Sequence, residues 1–369
     1  MNMRVIWSAF CLICIAVLTG CGDSKPNQPA TQPNSYVFVA NSADSTISAF
    51  TRNKTTGALS PVAGSPFTAS PGVTPTALAL LSNASHTFLV VSNQDSYNTG
   101  VFAVNRNSGA LTQAPGSPFA GLGGMRGGLA VHPSGGFVYV AADNVGLIGL
   151  AVNSTTGAAT IIPGSPFGGV KNASPVIDST GKFLFSDGYE QINVFSIDAS
   201  TGALTPVAGS PFATTGSNFI TLAVHPSGKF LFGSEDGYLH IHSYSIDPQT
   251  GALQEVAGSP IFTVNVDPWG MILEPNGFFA FTSNMSRGTV STLHVDPMTG
   301  TLTWLGEVNA GTFPGGMAMD VAGKFLYVTN YHSDNVSVYA IDSSAGTLTE
   351  ISGSPFAAGA FPISLAVMD

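Results

Sequence analysis

Apolar and polar positions alternate with a period of two through much of the chain after residue 35. The pattern is clearest over residues 315–356, GGMAMDVAGKFLYVTNYHSDNVSVYAIDSSAGTLTEISGSPF. Four strands are predicted there: a small apolar run at 315–320, alternating runs at 324–330 and 336–342, and a fourth at 347–352 after a turn at Ala345-Gly346. Short alternating runs bounded by Gly, Asp and Ser are a strand signal, and no segment of this unit has a helical period.

The remainder of the chain repeats the unit. The glycine of its third turn recurs as Gly57, Gly109, Gly157, Gly202, Gly251, Gly300 and Gly346, at intervals of 45 to 52 residues. Seven four-strand units at that spacing predict an all-β fold, a seven-bladed β-propeller of four-stranded blades. Short hairpin loops such as residues 247–251, DPQTG, close through a residue of positive φ, which explains the glycine. A second turn recurs as Pro-Ser-Gly at 133–135 and 226–228 and as Pro-Asn-Gly at 275–277. A third marker, Gly-Ser-Pro-Phe, stands at 64–67, 116–119, 164–167, 209–212 and 353–356; an insertion breaks it at 258–262, and the sixth unit lacks it. Gly-Ser-Pro is expected to end a strand and the Phe to pack between blades, where burial contributes ~2 kcal/mol.

The units are out of phase with the chain ends. The first copy begins at its second strand, because residues 36–41, YVFVAN, match FLYVTN at 325–330. The missing first strand lies at the other terminus, where residues 362–367 match 315–319 and 220–224. The C-terminal strand is therefore expected to be the innermost strand of the first blade. It closes the ring and covers an edge that would otherwise be free to pair.

Composition sharpens this picture. Charged residues make up 9% of the chain, against about 25% in ordinary domains, so surface solubility falls to Ser, Thr, Asn and Gln. A net charge of −10 with no basic cluster argues against nucleic acid as a partner. At the N-terminus Arg4 precedes an apolar run, residues 5–18, that is short for a bilayer span and ends in Leu18-Thr19-Gly20-Cys21. That ending resembles the bacterial lipobox, where cleavage precedes a cysteine that becomes diacylated. The expected organisation is a signal peptide at 1–20, a flexible tether at 21–35 anchored to the membrane through Cys21, and the propeller at 36–369. The location expected is the cell envelope, facing periplasm or exterior. Cys11 and Cys14 leave with the signal, so no Cys nucleophile or Cys-ligated zinc is expected.

In such a ring the loops joining second to third strands share one face with the loops leading into each inner strand, and small-molecule sites favour that face. Its predicted loops carry Asp44, Asp95, Asp143, Asp187, Glu190, Glu235, Asp236, Arg287, His332 and Asp334, with Arg126 and Trp269 leading into inner strands. Arg126 and Arg287 are candidate anion clamps, since the mature chain has only four arginines. Glu235-Asp236, Asp187, Glu190 or His332 can supply a base for water activation. Asp143, Asp187, Glu190, Asp236, Trp269 and Asp334 are candidate ligand contacts. Acidic residues also fill turns for purely conformational reasons, and that reading competes for each one singly. His132 and His225 precede Pro-Ser-Gly turns on the opposite face and are expected to be solvated. His240 and His242 alternate on a strand with no third ligand apparent, so they are read as surface residues. No cofactor and no metal are expected.

The segment 324–342, KFLYVTNYHSDNVSVYAID, together with TGTLT and GSPF, resembles the lactonase-type seven-bladed propellers, which include bacterial 6-phosphogluconolactonase and the fungal carboxymuconate cyclase. It is also similar to the Tyr-Val-Thr-Asn repeat propellers of surface proteins. The resemblance covers residues 35–369. It implies hydrolysis of a sugar lactone or similar small ring, without a metal. The alternative it leaves open is a non-catalytic envelope propeller that holds a glycan, peptide or protein partner. A polar or anionic small molecule or an envelope partner is expected at the loop face of a monomer. The family's enzymes carry two aspartates and a basic residue in one loop; here Asp334 fits the second aspartate, while Asn330 and Asn335 occupy the other two positions.

Overall fold

The computed structural model describes residues 34–69, 73–120, 128–142, 145–168, 174–235, 239–263 and 267–369. Cys21, with the proposed signal peptide and most of the tether, lies outside the described residues, as do Arg126, Asp143 and Asp236. Described residues are strands and turns throughout, in seven blades. The last blade has strands Pro314–Met319, Phe325–Asn330, Asn335–Asp342 and Thr347–Glu350, close to the predicted runs. Blades 4 and 5 share one eight-stranded sheet, because Phe212–Val224 pairs with both Phe183–Ile197 of blade 4 and Phe230–Glu235 of blade 5.

Ring closure is as expected. The C-terminal strand Pro362–Met368 pairs antiparallel with Ser35–Asn41, from Tyr36 opposite Met368 to Asn41 opposite Pro362. The propeller begins one residue earlier than the sequence suggests. Ser35 is buried; its Oγ donates to the Met368 carbonyl at 2.6 Å and accepts from Arg52 Nε at 2.6 Å.

The core is divided into seven layers, each between two adjacent blades. Tyr36 and Phe38 of blade 1 meet Leu89, Val91 and Phe102 of blade 2, and the last layer joins Val37 and Val39 to Tyr327 and Val338 of blade 7. Second strands such as Phe325–Asn330 are consequently buried at every position. Alternation thus separates the two blade interfaces, not core from water, since neighbours cover both sheet faces. The turn glycines have a second role here. Gly300 has φ +74°, and a Cβ on it would lie 2.4 Å from the Phe230 ring. The corresponding glycine in every other blade likewise faces the first aromatic of the preceding blade's second strand.

The Gly-Ser-Pro-Phe marker does more than end a strand. Its Ser Oγ accepts a backbone N–H from the third strand, as Ser65 does from Ala49 at 2.8 Å and Ser354 from Val338 at 2.9 Å. The Phe side chains pack onto the inter-blade layers, with Phe67 against the first and Phe356 against the last. Phe262, after the inserted residue, is instead 66% exposed.

Candidate functional site

Seven inner strands bring their first residues together at one end of the channel, around a cavity of about 750 Å³. Thr76, Gln94, Ser174, Thr221 and Ser364 supply polar groups, and Phe219 and Trp269 supply aromatic walls. No described lining residue is charged. Trp269 is thus where sequence reading put it, at the channel mouth. The hydroxyl and amide groups were missed, because single Ser and Thr residues at strand starts carry no sequence signal.

Behind this wall sits Asp187. The Ser174 N–H donates to Asp187 Oδ1, and Ser174 Oγ donates to the Ile220 carbonyl at 2.8 Å. Asp187 is the fifth residue counted from the first aromatic of its second strand. Blade 6 has Ser283 at that position, accepting the Gly270 N–H at 2.9 Å, and blade 7 has Thr329. A carboxyl therefore replaces a hydroxyl at one point of the ring. Asp187 is buried, and burial pushes its pKa up to about 8 against the lowering effect of its backbone hydrogen bonds.

Blade 5 breaks the repeat at the next position. In blades 1, 6 and 7 an Asn ends the second strand and donates Nδ2 to side chains five and seven residues later: Asn41 to Thr46 and Ser48, Asn284 to Thr289 and Ser291, Asn330 to Asn335 and Ser337, all at 2.7–3.0 Å. Glu235 occupies this place in blade 5. Its Oε2 lies 3.1 Å from His240 Nδ1 and 3.3 Å from His242 Nε2. Glu255 Oε1 stands 3.0 Å from His242 Nδ1. Glu235 and His242 are buried, while a quarter of the His240 side chain is exposed. The reading of these two histidines as surface residues without a third ligand is corrected here: Glu235, singled out in sequence as a base, lies against both. Comparison of the repeats position by position was the signal that finds it.

The remaining candidates are dispersed. Arg287 donates to Glu307 Oε1 at 2.6 Å and lines a separate recess of about 350 Å³ with Phe313 and Gly311. His332 packs among aromatic rings, with centroids 4.5 Å from Phe313, 4.9 Å from Tyr331 and 5.5 Å from Phe361. Asp334 has φ +52°, and its Oδ1 accepts the Phe361 N–H at 2.9 Å, clasping a neighbouring loop. Glu190 is exposed at a register irregularity within the strand Phe183–Ile197, with φ +57°. None of Glu235, Arg287 and His332 lines the central cavity. His132 and His225, expected in solvent, are buried pins between blades. His132 Nε2 donates to the Gly181 carbonyl at 3.0 Å and His225 Nε2 to that of Gly277 at 2.9 Å, which leaves Nδ1 to accept from the Ser of its own turn.

Solved structures share this architecture. A candidate 6-phosphogluconolactonase from Bacteroides uniformis superposes with a TM-score of 0.73 at 18% identity, over 91% of this chain and 100% of its own. A second, from Bacteroides fragilis, gives 0.73 at 19% identity over 92% and 99%. A periplasmic gluconolactonase from Pseudomonas aeruginosa gives 0.73 at 17% identity over 91% and 99%. At these identities the likeness shows the fold. A search of curated proteins finds no match. The family model for the lactonase seven-bladed β-propeller matches residues 31–121, 129–266 and 262–361, most of the ring. The chain therefore belongs to the lactonase family of seven-bladed β-propellers.

Proposed function

We propose that the protein is a lactone hydrolase whose substrate sits in the central cavity and whose base is Asp187. The observation that carries this is the buried Asp187 carboxyl, with its pKa pushed up to about 8, held one hydrogen bond behind the cavity wall at Ser174. A perturbed carboxyl beside a cavity is a physical mark of acid–base chemistry. In the ionised form Asp187 takes a proton from water, directly or through a second water, as that water attacks the lactone carbonyl. Hydroxyl and amide donors of the lining, such as Thr76, Gln94 and Thr221, stabilise the oxyanion. Collapse breaks the ring C–O bond, and the proton held by Asp187 passes to the departing oxygen, giving the hydroxy acid. The uncharged described lining favours a neutral sugar lactone. A phosphorylated one would need Arg126, two residues before the lining residue Gly128.

A pH-stat panel of γ- and δ-lactones, with and without phosphate, tests the reading. Hydrolysis should rise with pH through about 8 and fall by at least about tenfold in Asp187→Asn. A pH-independent rate with full Asp187→Asn activity removes Asp187 from the mechanism. Absence of turnover on the whole panel supports the second reading, a propeller that binds its ligand without converting it. That reading is favoured by one observation: Arg287 is committed to Glu307, away from the cavity.

A further inference from the structure

The Glu235, His240 and His242 trio has no part in the proposed hydrolysis. The three offer ligand atoms that lie within 4.8 Å of one another. Metal–nitrogen and metal–oxygen bonds of about 2.0–2.1 Å in a tetrahedron set neighbouring ligand atoms about 3.4 Å apart. The two observed edges from Glu235 Oε2, at 3.1 and 3.3 Å, are already near that value. We infer that this trio is a binding site for a divalent transition-metal ion of the zinc class, with a fourth position for water on the exposed side of His240.

Three further observations converge on it. First, His242 Nδ1 is 3.0 Å from Glu255 Oε1. A hydrogen on Nδ1 donated to that carboxylate leaves Nε2 bare and basic, aimed at Glu235 Oε2. Two acceptors facing each other are stabilised by a cation shared between them, and a carboxylate behind a histidine is the usual support for a metal ligand. Second, the chain passes close to Nε2 without a side chain of its own at residue 216. Residue 216 is glycine, and a Cβ there would stand 2.8 Å from Nε2. Third, the fold has no structural need for these residues. Blades 1 and 6 fasten the same hairpin with neutral Asn, Thr and Ser side chains at the same three positions. Glu235 and His242 in their place are buried groups, costly to desolvate unless they are paired or coordinate a metal. The Phe219 ring, edge-on to His242 at 5.3 Å, also lines the central cavity. Metal binding and lactone hydrolysis nevertheless stand or fall separately.

The test uses the whole protein stripped with chelator, dialysed, and titrated with zinc chloride by calorimetry and with cobalt chloride by visible spectroscopy. One equivalent of zinc per chain and the intense visible bands of four-coordinate cobalt are expected. Glu255→Gln should weaken zinc about 10–100-fold. The triple variant Glu235→Asn, His240→Thr, His242→Ser restores the set used by blades 1 and 6, so it should melt as a folded propeller and lose both signals. Wild type that takes up no zinc overturns the inference and leaves the trio as a proton-shared network. A folded triple variant that still binds one equivalent overturns it too, since the ion then sits elsewhere.

Discussion

Arg52 is the residue whose removal should most damage ring closure. It lies on the third strand of blade 1, and only 4% of it is exposed. Its Nη1 is 3.1 Å from Asp320 Oδ2 in blade 7, Nη2 contacts the Asp369 carboxylate at the C-terminus, and Nε donates to Ser35 at the start of the first strand. Asp320 is itself buried, its Oδ1 accepting the N–H groups of Lys324 and Phe325, and Asp369 Oδ2 accepts from Val321. One guanidinium thus joins the first strand of the ring, Asp369 and both blades at the seam. Arg52→Met preserves apolar contact and removes the charge, stranding Asp320. Breaking a buried pair from one side costs about 3–5 kcal/mol. For the 335 residues of positions 35–369, an unfolding entropy of about 2.1 cal/mol/K per residue converts 4 kcal/mol into a fall of roughly 6 °C in Tm. Calorimetry of wild type, Arg52→Met, Asp320→Asn and the double variant measures this. The double variant should lose less than the sum of the singles, by about 1 kcal/mol or more. An Arg52→Met melt within 1 °C of wild type refutes the latch.

Gly300→Ala should destabilise by about 2–5 kcal/mol, combining a left-handed backbone with overpacking against Phe230. Gly228→Ala, at φ +70° with nothing near its Cβ, should lose only the backbone part of about 1–2 kcal/mol; equal losses would deny the packing role. For Asp187 the linkage sign is fixed by a raised pKa: the unfolded carboxyl ionises near pH 4 and the folded one near pH 8. The folded state holds the extra proton between these values, so this group's contribution is greatest below pH 4 and declines as pH rises to about 8. Tm of Asp187→Asn minus that of wild type should therefore grow from pH 5 to pH 8, and parallel curves would refute the shift. We also propose that Cys21 is the lipidated mature N-terminus: mass spectrometry should find it acylated and Cys21→Ala mostly released from membranes, and an unmodified Cys21 would exclude the anchor.

The ring was legible because it is written seven times. Turn glycines, Gly-Ser-Pro-Phe and the displaced strand at residues 362–367 each carry blade number or closure in local sequence. What could not be read is whatever depends on residues far apart in the chain. Arg52 meets Asp320 across 268 residues and Asp369 across 317, and no spacing rule pairs them. The histidines illustrate a second limit. His132 and His225 sit in polar turns, yet the next blade folds over them, because blade-to-blade packing buries turns that an isolated hairpin would expose. Arg287 and His332 were grouped with Glu235 by loop type alone. In the ring each such loop sits on its own blade, so loops of one type are distributed around the mouth, and convergence has to be supplied by side-chain reach.

The proposed chemistry of this protein falls where a blade departs from the repeat. Most blades satisfy the end of the second strand with uncharged groups that make neutral hydrogen bonds: Asn41, Asn284 and Asn330 at the sixth position, Ser283 and Thr329 at the fifth. Such locks are sufficient for folding, as their recurrence within one chain demonstrates. Blades 4 and 5 put carboxylates there instead, Asp187 at the fifth position and Glu235 at the sixth. Both are buried, and burying an ionisable group where a neutral one is available lowers stability. A protein sustains that penalty where the group has a task. The same two blades share one continuous sheet through Phe212–Val224, whose Phe219, Ile220 and Thr221 line the cavity while Phe219 packs on His242. The two departures are therefore mechanically joined by a single strand, and a substitution on that strand, Phe219→Leu, should disturb both hydrolysis and metal affinity where a change confined to either carboxylate disturbs only one.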